Sequence, residues 1–447
     1  MRMRGLLLYC LSAVGSTAGP LHKLPARKPQ LCTPAWPQAL AFCLVYGVNG
    51  GFVGSVGPSL LQLKASTGLG EASIGLAVMV NRMTKLAGVF AWTAFARRVQ
   101  AGKAPLAGAR ILIGISMMVA TLCASGLYYA RSSGAALQTS LAVAGLCYGI
   151  SDTALTQLTM WTHPTSREQR TQIALLNAAF TVGCALAPAV IALSLRLGGS
   201  CYASFGALSL LSAIAAVVLF ATPLAIDEVP PPLSPTKPYA DEELEELPLV
   251  ALKVKARRPE RPYIAERARA HVVIGAMCAV LFCVTGCEHA VGTWLAAFGA
   301  HVGGLGAPTM AVMSSAYWGA ICAGRVGWAV LSTVISSGWP VLTTDSSLML
   351  LAALFFIRFA SPVGQSSAPT LWTGTLLLAL GFASSLPCAL TLPTEARVEI
   401  TPARLLALNL AGSAGEMLCP FLLGIAFERG QYSAGWAMGW PGCSSYF

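Results

Sequence analysis

Five ionisable side chains interrupt long apolar runs: Arg82, Lys85, Asp152, Glu288 and Glu416. A charge at the centre of a hydrocarbon layer costs about 2.5–3.5 kcal/mol on insertion scales. Such residues either handle an ion or a polar solute, or pair with one another to hold helices together. Their depths agree. Arg82 lies 11 residues after Glu71, about 16 Å along a helix, and Lys85 follows one turn later on the same face. Asp152 lies 11 residues before His163, Glu416 lies 12 after Arg404, and Glu288 lies 13 before His301, roughly 16–20 Å from those polar ends. Four segments therefore set charges near one plane. Asp152, flanked by the hydroxyls of Ser151, Thr153 and Thr156, suits reversible binding of a proton or of Na+, because desolvation and neighbouring charge decide its protonation. Glu288 suits acceptance of hydroxyl hydrogen bonds and is the next candidate for ion coupling. Arg82, Lys85 and Glu416 suit a gating or structural charge pair. Asn49 is the polar group of the first apolar run, and Trp294 and Trp318 offer a flat apolar face with an N–H. These residues make a set that could contact a polar solute, with helix packing or an interfacial belt as the alternative for either Trp.

Other chemistries are excluded by what is missing. The chain has no phosphate-binding loop, no HExxH and no dinucleotide fingerprint. Its 14 cysteines are scattered without a CxxC pair, which reads as small apolar filler. No enzyme, no metal site and no cofactor is expected, apart from H+ or Na+ as a coupling ion. The net charge of +11 sits in short clusters between apolar runs, a membrane pattern, so no nucleic-acid partner is expected.

The elements that must position these residues are membrane-spanning helices. Of the 447 residues 55% are hydrophobic and 11% charged, with mean hydropathy +0.66, whereas a soluble domain is about 25% charged. A span needs about 20 apolar residues. Eleven are expected, at 37–58, 72–96, 107–128, 136–161, 171–195, 202–222, 270–298, 308–330, 342–360, 369–392 and 403–427. Between the sixth and seventh lies 223–269, which holds 17 of the 47 charged residues and nine prolines. That composition reads as a disordered linker. Residues 37–222 and 270–429 are then two helix bundles.

Placing the N-terminus in the cytoplasm puts 22 basic residues on that side and five on the other, so the linker is expected to be cytoplasmic. This count places Arg325 on the cytoplasmic side. Residues 1–36 are an N-terminal segment. Arg2 and Arg4 before an apolar run have the layout of a signal peptide, the basic stretch that follows resembles a transit peptide, and a merely hydrophobic N-terminus remains the alternative. The plasma membrane is the expected location, with an organelle membrane as the alternative.

An internal repeat is visible at an offset of 232. Asn177, Ala179, Gly183, Leu186 and Pro188 fall on Asn409, Ala411, Gly415, Leu418 and Pro420. Transporters are built from such repeats, with solute bound between them. The offset starts a twelfth span that the chain does not complete, so 430–447 is read as its remnant.

The fourth-span block Gly145 to Gly149, Asp152, Thr153 and Trp161 resembles the pattern of the major facilitator branch that holds the sodium-dependent glucose transporter and the fucose permeases. So do Gly286, Glu288, Gly292 and Trp294; Trp318-Gly319 through Gly324-Arg325; Pro387 through Glu395; Gly415-Glu416 through Pro420 and Gly424; and Arg82 and Gly57-Pro58. The resemblance covers about residues 38–428. It implies an all-α integral membrane fold of two six-helix bundles; the second is expected to lack a complete twelfth helix, because the repeat offset runs past residue 447. It also implies alternating access and H+- or Na+-coupled symport of a monosaccharide of glucose or fucose type by a monomer in the lipid bilayer. Asp152 would match the branch's fourth-span acid. Four features depart from the branch: Thr156 stands where it carries Asn, Lys85 adds a charge, the loop after Arg97 and Arg98 lacks the Gly-x-x-x-Asp-Arg signature, and the twelfth span is cut short. The rival readings are a transporter of an organic anion attracted by Arg82 and Lys85, and a truncated relative that acts as a sensor.

Overall fold

A computed structural model describes residues 36–100, 107–129, 131–162, 166–222, 260–331, 337–359, 368–398 and 402–432. The apolar runs form helices because a helix pairs its own backbone groups, as hydrocarbon demands. In chain order they are α1 (Trp36–Thr67), α2 (Glu71–Gln100), α3 (Ala107–Tyr129), α4 (Gly134–Thr162), α5 (Ser166–Arg196), α6 (Tyr202–Ala221), α7 (Glu260–Gly303), α8 (Ala307–Leu331), α9 (Trp339–Phe359), α10 (Ala368–Ala383), α11 (Ser385–Glu395) and α12 (Pro402–Glu428). Among the described residues nine spans are long and apolar enough to cross a membrane, α10 and α11 counting as one.

The expected eleven spans coincide with these helices, and two details differ. The tenth breaks at Ser384. Pro387, three residues on, has no N–H to donate to the carbonyl of Ala383, and the hydroxyls of Ser384 and Ser385 turn to the carboxylate of Asp345 on α9 at 2.8–3.0 Å. The seventh begins at Glu260, so the last ten residues of the stretch read as linker are helical. The rest of the linker, 223–259, the N-terminal segment up to residue 35 and the twelfth-span remnant from 433 on lie outside the described residues; Trp36 starts α1 and 430–432 follow α12.

Polarity runs opposite to that of a soluble protein. Leu122, Val217, Leu210 and Leu186 face outward, while Asn49, Ser55, Ser59, Arg82, Glu288 and Asp345 are buried. In the first half, α1 packs on α5, α2 on α4, and α3 on α4 and α6; in the second, α7 packs on α12 and α10 on α8 and α9. The 232-residue repeat has a physical basis here. A Cβ at Gly183 would overlap the carbonyl of Gly47 on α1, and a Cβ at its counterpart Gly415 would overlap that of Phe282 on α7. The same bare backbone position lets α5 meet α1 and α12 meet α7. The halves join through α5 with α8, α2 with α12 and α1 with α7.

Candidate functional site

The mid-helix charges of α2 converge on one acid of α12. Glu416 Oε2 lies 3.5 Å from Arg82 Nη1 and 3.5 Å from Lys85 Nζ. Its other oxygen lies 3.5 Å from Nε2 of His289 on α7. The helical interval of three places Arg82 and Lys85 on one face of α2, and that face meets α12. The side chains of all four are 6–14% exposed. Arg82 Nη2 also stands 3.3 Å from His289 Nδ1. A guanidinium can only donate, so Nδ1 is the acceptor and the ring proton sits on Nε2, toward Glu416. His289 is therefore neutral in this arrangement. Its neighbour Glu288 was singled out in the sequence and His289 was not, although one step along a helix turns the side chain by about 100°.

Lys85 also lies over the ring of Tyr148 on α4, 4.5 Å from its centroid, a cation–π contact. Tyr148 stacks on Phe180 of α5. Asp152 follows Tyr148 by four residues on α4, hence on the same face, within electrostatic reach of Lys85, Glu416 and Arg82. The Tyr46 hydroxyl of α1 donates to the backbone carbonyl of Asp152 at 3.0 Å and shares a 2.6 Å bond with Thr156. One turn further along α1, the Asn49 amide donates to Ser151 at 2.9 Å.

Beside this cluster is a cavity between α1, α2, α3, α4 and α7, lined by Asn49, Asn81, Arg82, Tyr148 and Thr293 among apolar residues. It offers water about 40 Å³, room for a few molecules. Of the Arg82 nitrogens Nη1 pairs with Glu416 and Nη2 with His289, which leaves Nε, buried and without a hydrogen-bond partner. The amide nitrogen of Asn81 donates to Leu141, which leaves its carbonyl oxygen for other partners.

The remaining sequence candidates lie elsewhere. Glu288 is clamped by Arg325 of α8, one guanidinium nitrogen reaching both carboxylate oxygens at 2.8 and 3.1 Å. Arg325 is thus an ion-pair partner of a mid-helix acid, its side chain 15% exposed. Trp294 donates its N–H to the carbonyl of Pro420 at 2.8 Å and meets Phe427 edge to face; it packs α7 on α12. Trp318 is buried against Tyr317 and 6.1 Å from the His289 ring, and its indole N–H has no partner.

A second cross-half cluster lies at the other end of α2. Glu71 meets Lys64 at 2.9 Å and His301 at 3.5 Å, and Glu428 accepts from the backbone N–H of Ala72. These contacts tie the start of α2 to the ends of α7 and α12.

Two half-domains joined around a mid-depth charge cluster and polar cavity define a membrane transporter architecture. The Major Facilitator Superfamily model matches residues 42–420, and the chain belongs to that family. No curated relative matches it by sequence. Among solved structures it is similar to the peptide transporter POT (16% identity, TM-score 0.64, covering 90% of this chain and 91% of that one). It is also similar to a D-xylose–proton symporter (13%, 0.63, 90% and 95%). A third is a bacterial homologue of the human lysosomal transporter Spinster in an inward-facing, occupied conformation (14%, 0.62, 89% and 83%). The chain is a multi-pass integral membrane protein and a secondary transporter of a small solute.

Proposed function

We propose that the chain carries a monosaccharide-sized, hydroxyl-rich solute by alternating access, coupled to H+ or Na+ at Asp152. The observation that carries this reading is the meeting of Asn49, Asn81, Arg82 and Tyr148 in one cavity beside the Glu416 cluster. Amides and a phenol supply the directional hydrogen bonds a polyol needs, and the low-dielectric surroundings strengthen them. Trp318, with its unpartnered N–H, is the aromatic candidate for the solute path, while Glu288 and Trp294 take structural roles. The cavity widens as the halves part on the side away from Glu71 and Glu428. A cation on Asp152 biases inward and outward states differently, which is what coupling requires. The protein works as a monomer in the plasma membrane with its linker in the cytoplasm.

The test is uptake into proteoliposomes of a radiolabelled panel of neutral monosaccharides and their acids, with and without Na+ and a pH gradient. Accumulation of at least one panel member driven by a cation gradient supports the reading; accumulation of none overturns it.

A further inference from the structure

The charges around the cavity can be counted helix by helix. Arg82 and Lys85 on α2 give two positive charges, Glu416 on α12 and Asp152 on α4 give two negative ones, and His289 on α7 is held neutral by the donor geometry of Arg82. Tyr46 and Asn49 on α1 and Tyr148 on α4 add no charge. Arg325 and Glu288 balance each other. With Asp152 ionised the cluster is neutral. With a proton or Na+ on Asp152 it carries one positive charge, and the guanidinium that lines the cavity keeps one buried nitrogen, Nε, without a partner. A buried donor left unmade is unfavourable, and a charged N–H is best met by an anionic oxygen such as that of a carboxylate.

Resting on the proposed transport site, we propose that the solute is an anion, a small hydroxylated carboxylate such as a sugar acid, whose carboxylate is received by Arg82 and which travels with one monovalent cation on Asp152. The amide oxygens and Tyr148 face the hydroxyls. Because anion and cation cross together, the carriage step is electrically silent. Lys85 is occupied by Glu416 and the Tyr148 ring and plays the supporting part.

A matched pair tests this, since D-glucose and D-glucuronate differ only at C6. The full-length protein in proteoliposomes is given each radiolabelled solute under an inward proton or Na+ gradient, with charge movement recorded on solid-supported membranes. The expected result is accumulation of glucuronate without net current, with D-glucose at least about tenfold weaker, the loss that follows from one unmade charge-assisted hydrogen bond. Arg82→Gln should lose glucuronate uptake, and Arg82→Lys should keep part of it. The wild-type charge measurement stands alone should Arg82→Gln misfold. Glucose accumulating as strongly as glucuronate, or glucuronate moving with net current, overturns the inference and leaves the transport reading in place. If no sugar or sugar acid accumulates, both fall.

Discussion

Glu428, the last residue of α12, accepts a hydrogen bond of 2.9 Å from the backbone N–H of Ala72, the second residue of α2. One half of the molecule thereby caps the helix of the other. The carboxylate meets both an orphan N–H and the positive end of the helix dipole, together worth about 0.3–1 kcal/mol at an exposed site. The cap exists only while the halves are closed at this end, so it biases the conformational equilibrium and has little effect on folding.

Glu428→Gln should therefore raise the population open at this end by about two- to fivefold, the range given by that dipole energy. Spin labels at the exposed Ser132 and Arg429, in a background without native cysteines, would report the distance distribution. An unchanged distribution would show that the cap does not govern closure.

The Glu416 cluster predicts an asymmetry. Arg82→Gln still leaves Lys85 to balance Glu416. Glu416→Gln leaves Arg82 and Lys85 with only Asp152 to balance them, so one charge is uncompensated at about 3–5 kcal/mol. Thermal unfolding in detergent should show the Glu416 variant as the less stable of the two. Adding Lys85→Met to Glu416→Gln should recover part of the loss. Equal destabilisation by both single changes would contradict the shared-acid geometry.

Much of this arrangement was legible in the sequence. Apolar runs fixed the spans, and the depths of Arg82, Lys85, Asp152 and Glu416 put them in one plane. Which residues pair across helices was less legible, because a pattern along one helix does not give its rotation against the next. Arg325 sits six residues from the end of α8, so it counts among the cytoplasmic-side charges, yet it faces Glu288. His289 was hidden beside Glu288. Asp345 lies in the first turns of α9, where an acid is ordinary, and only the break at Ser384 explains its burial. Trp294 had the right type for solute stacking, but its N–H is taken by Pro420.

Glu288 and Arg325 should be strongly coupled. Arg325→Met alone leaves a buried carboxylate unpaired, at about 3–5 kcal/mol, whereas Arg325→Met with Glu288→Gln should lose much less. A double-mutant cycle on unfolding would give the interaction energy. A coupling near zero would mean that the pair is solvated and structurally idle.

Trp294→Phe keeps the ring that packs on Phe427 and removes only the N–H. It should lower stability by about 1 kcal/mol, the net worth of one hydrogen bond, and leave the apparent KM for solute unchanged. A rise in KM at unchanged stability would return Trp294 to the solute path.

The most direct measurement of the central claim compares gradient-driven uptake with counterflow for Asp152→Asn in proteoliposomes. Asn mimics the neutral carboxyl and cannot release a cation. The cluster then keeps its positive charge through the whole cycle, so solute can bind and exchange, but no ion gradient can be spent on accumulation. The expected result is loss of uphill uptake with counterflow retained. Uphill accumulation by the Asn variant at the wild-type level would show that coupling does not run through Asp152.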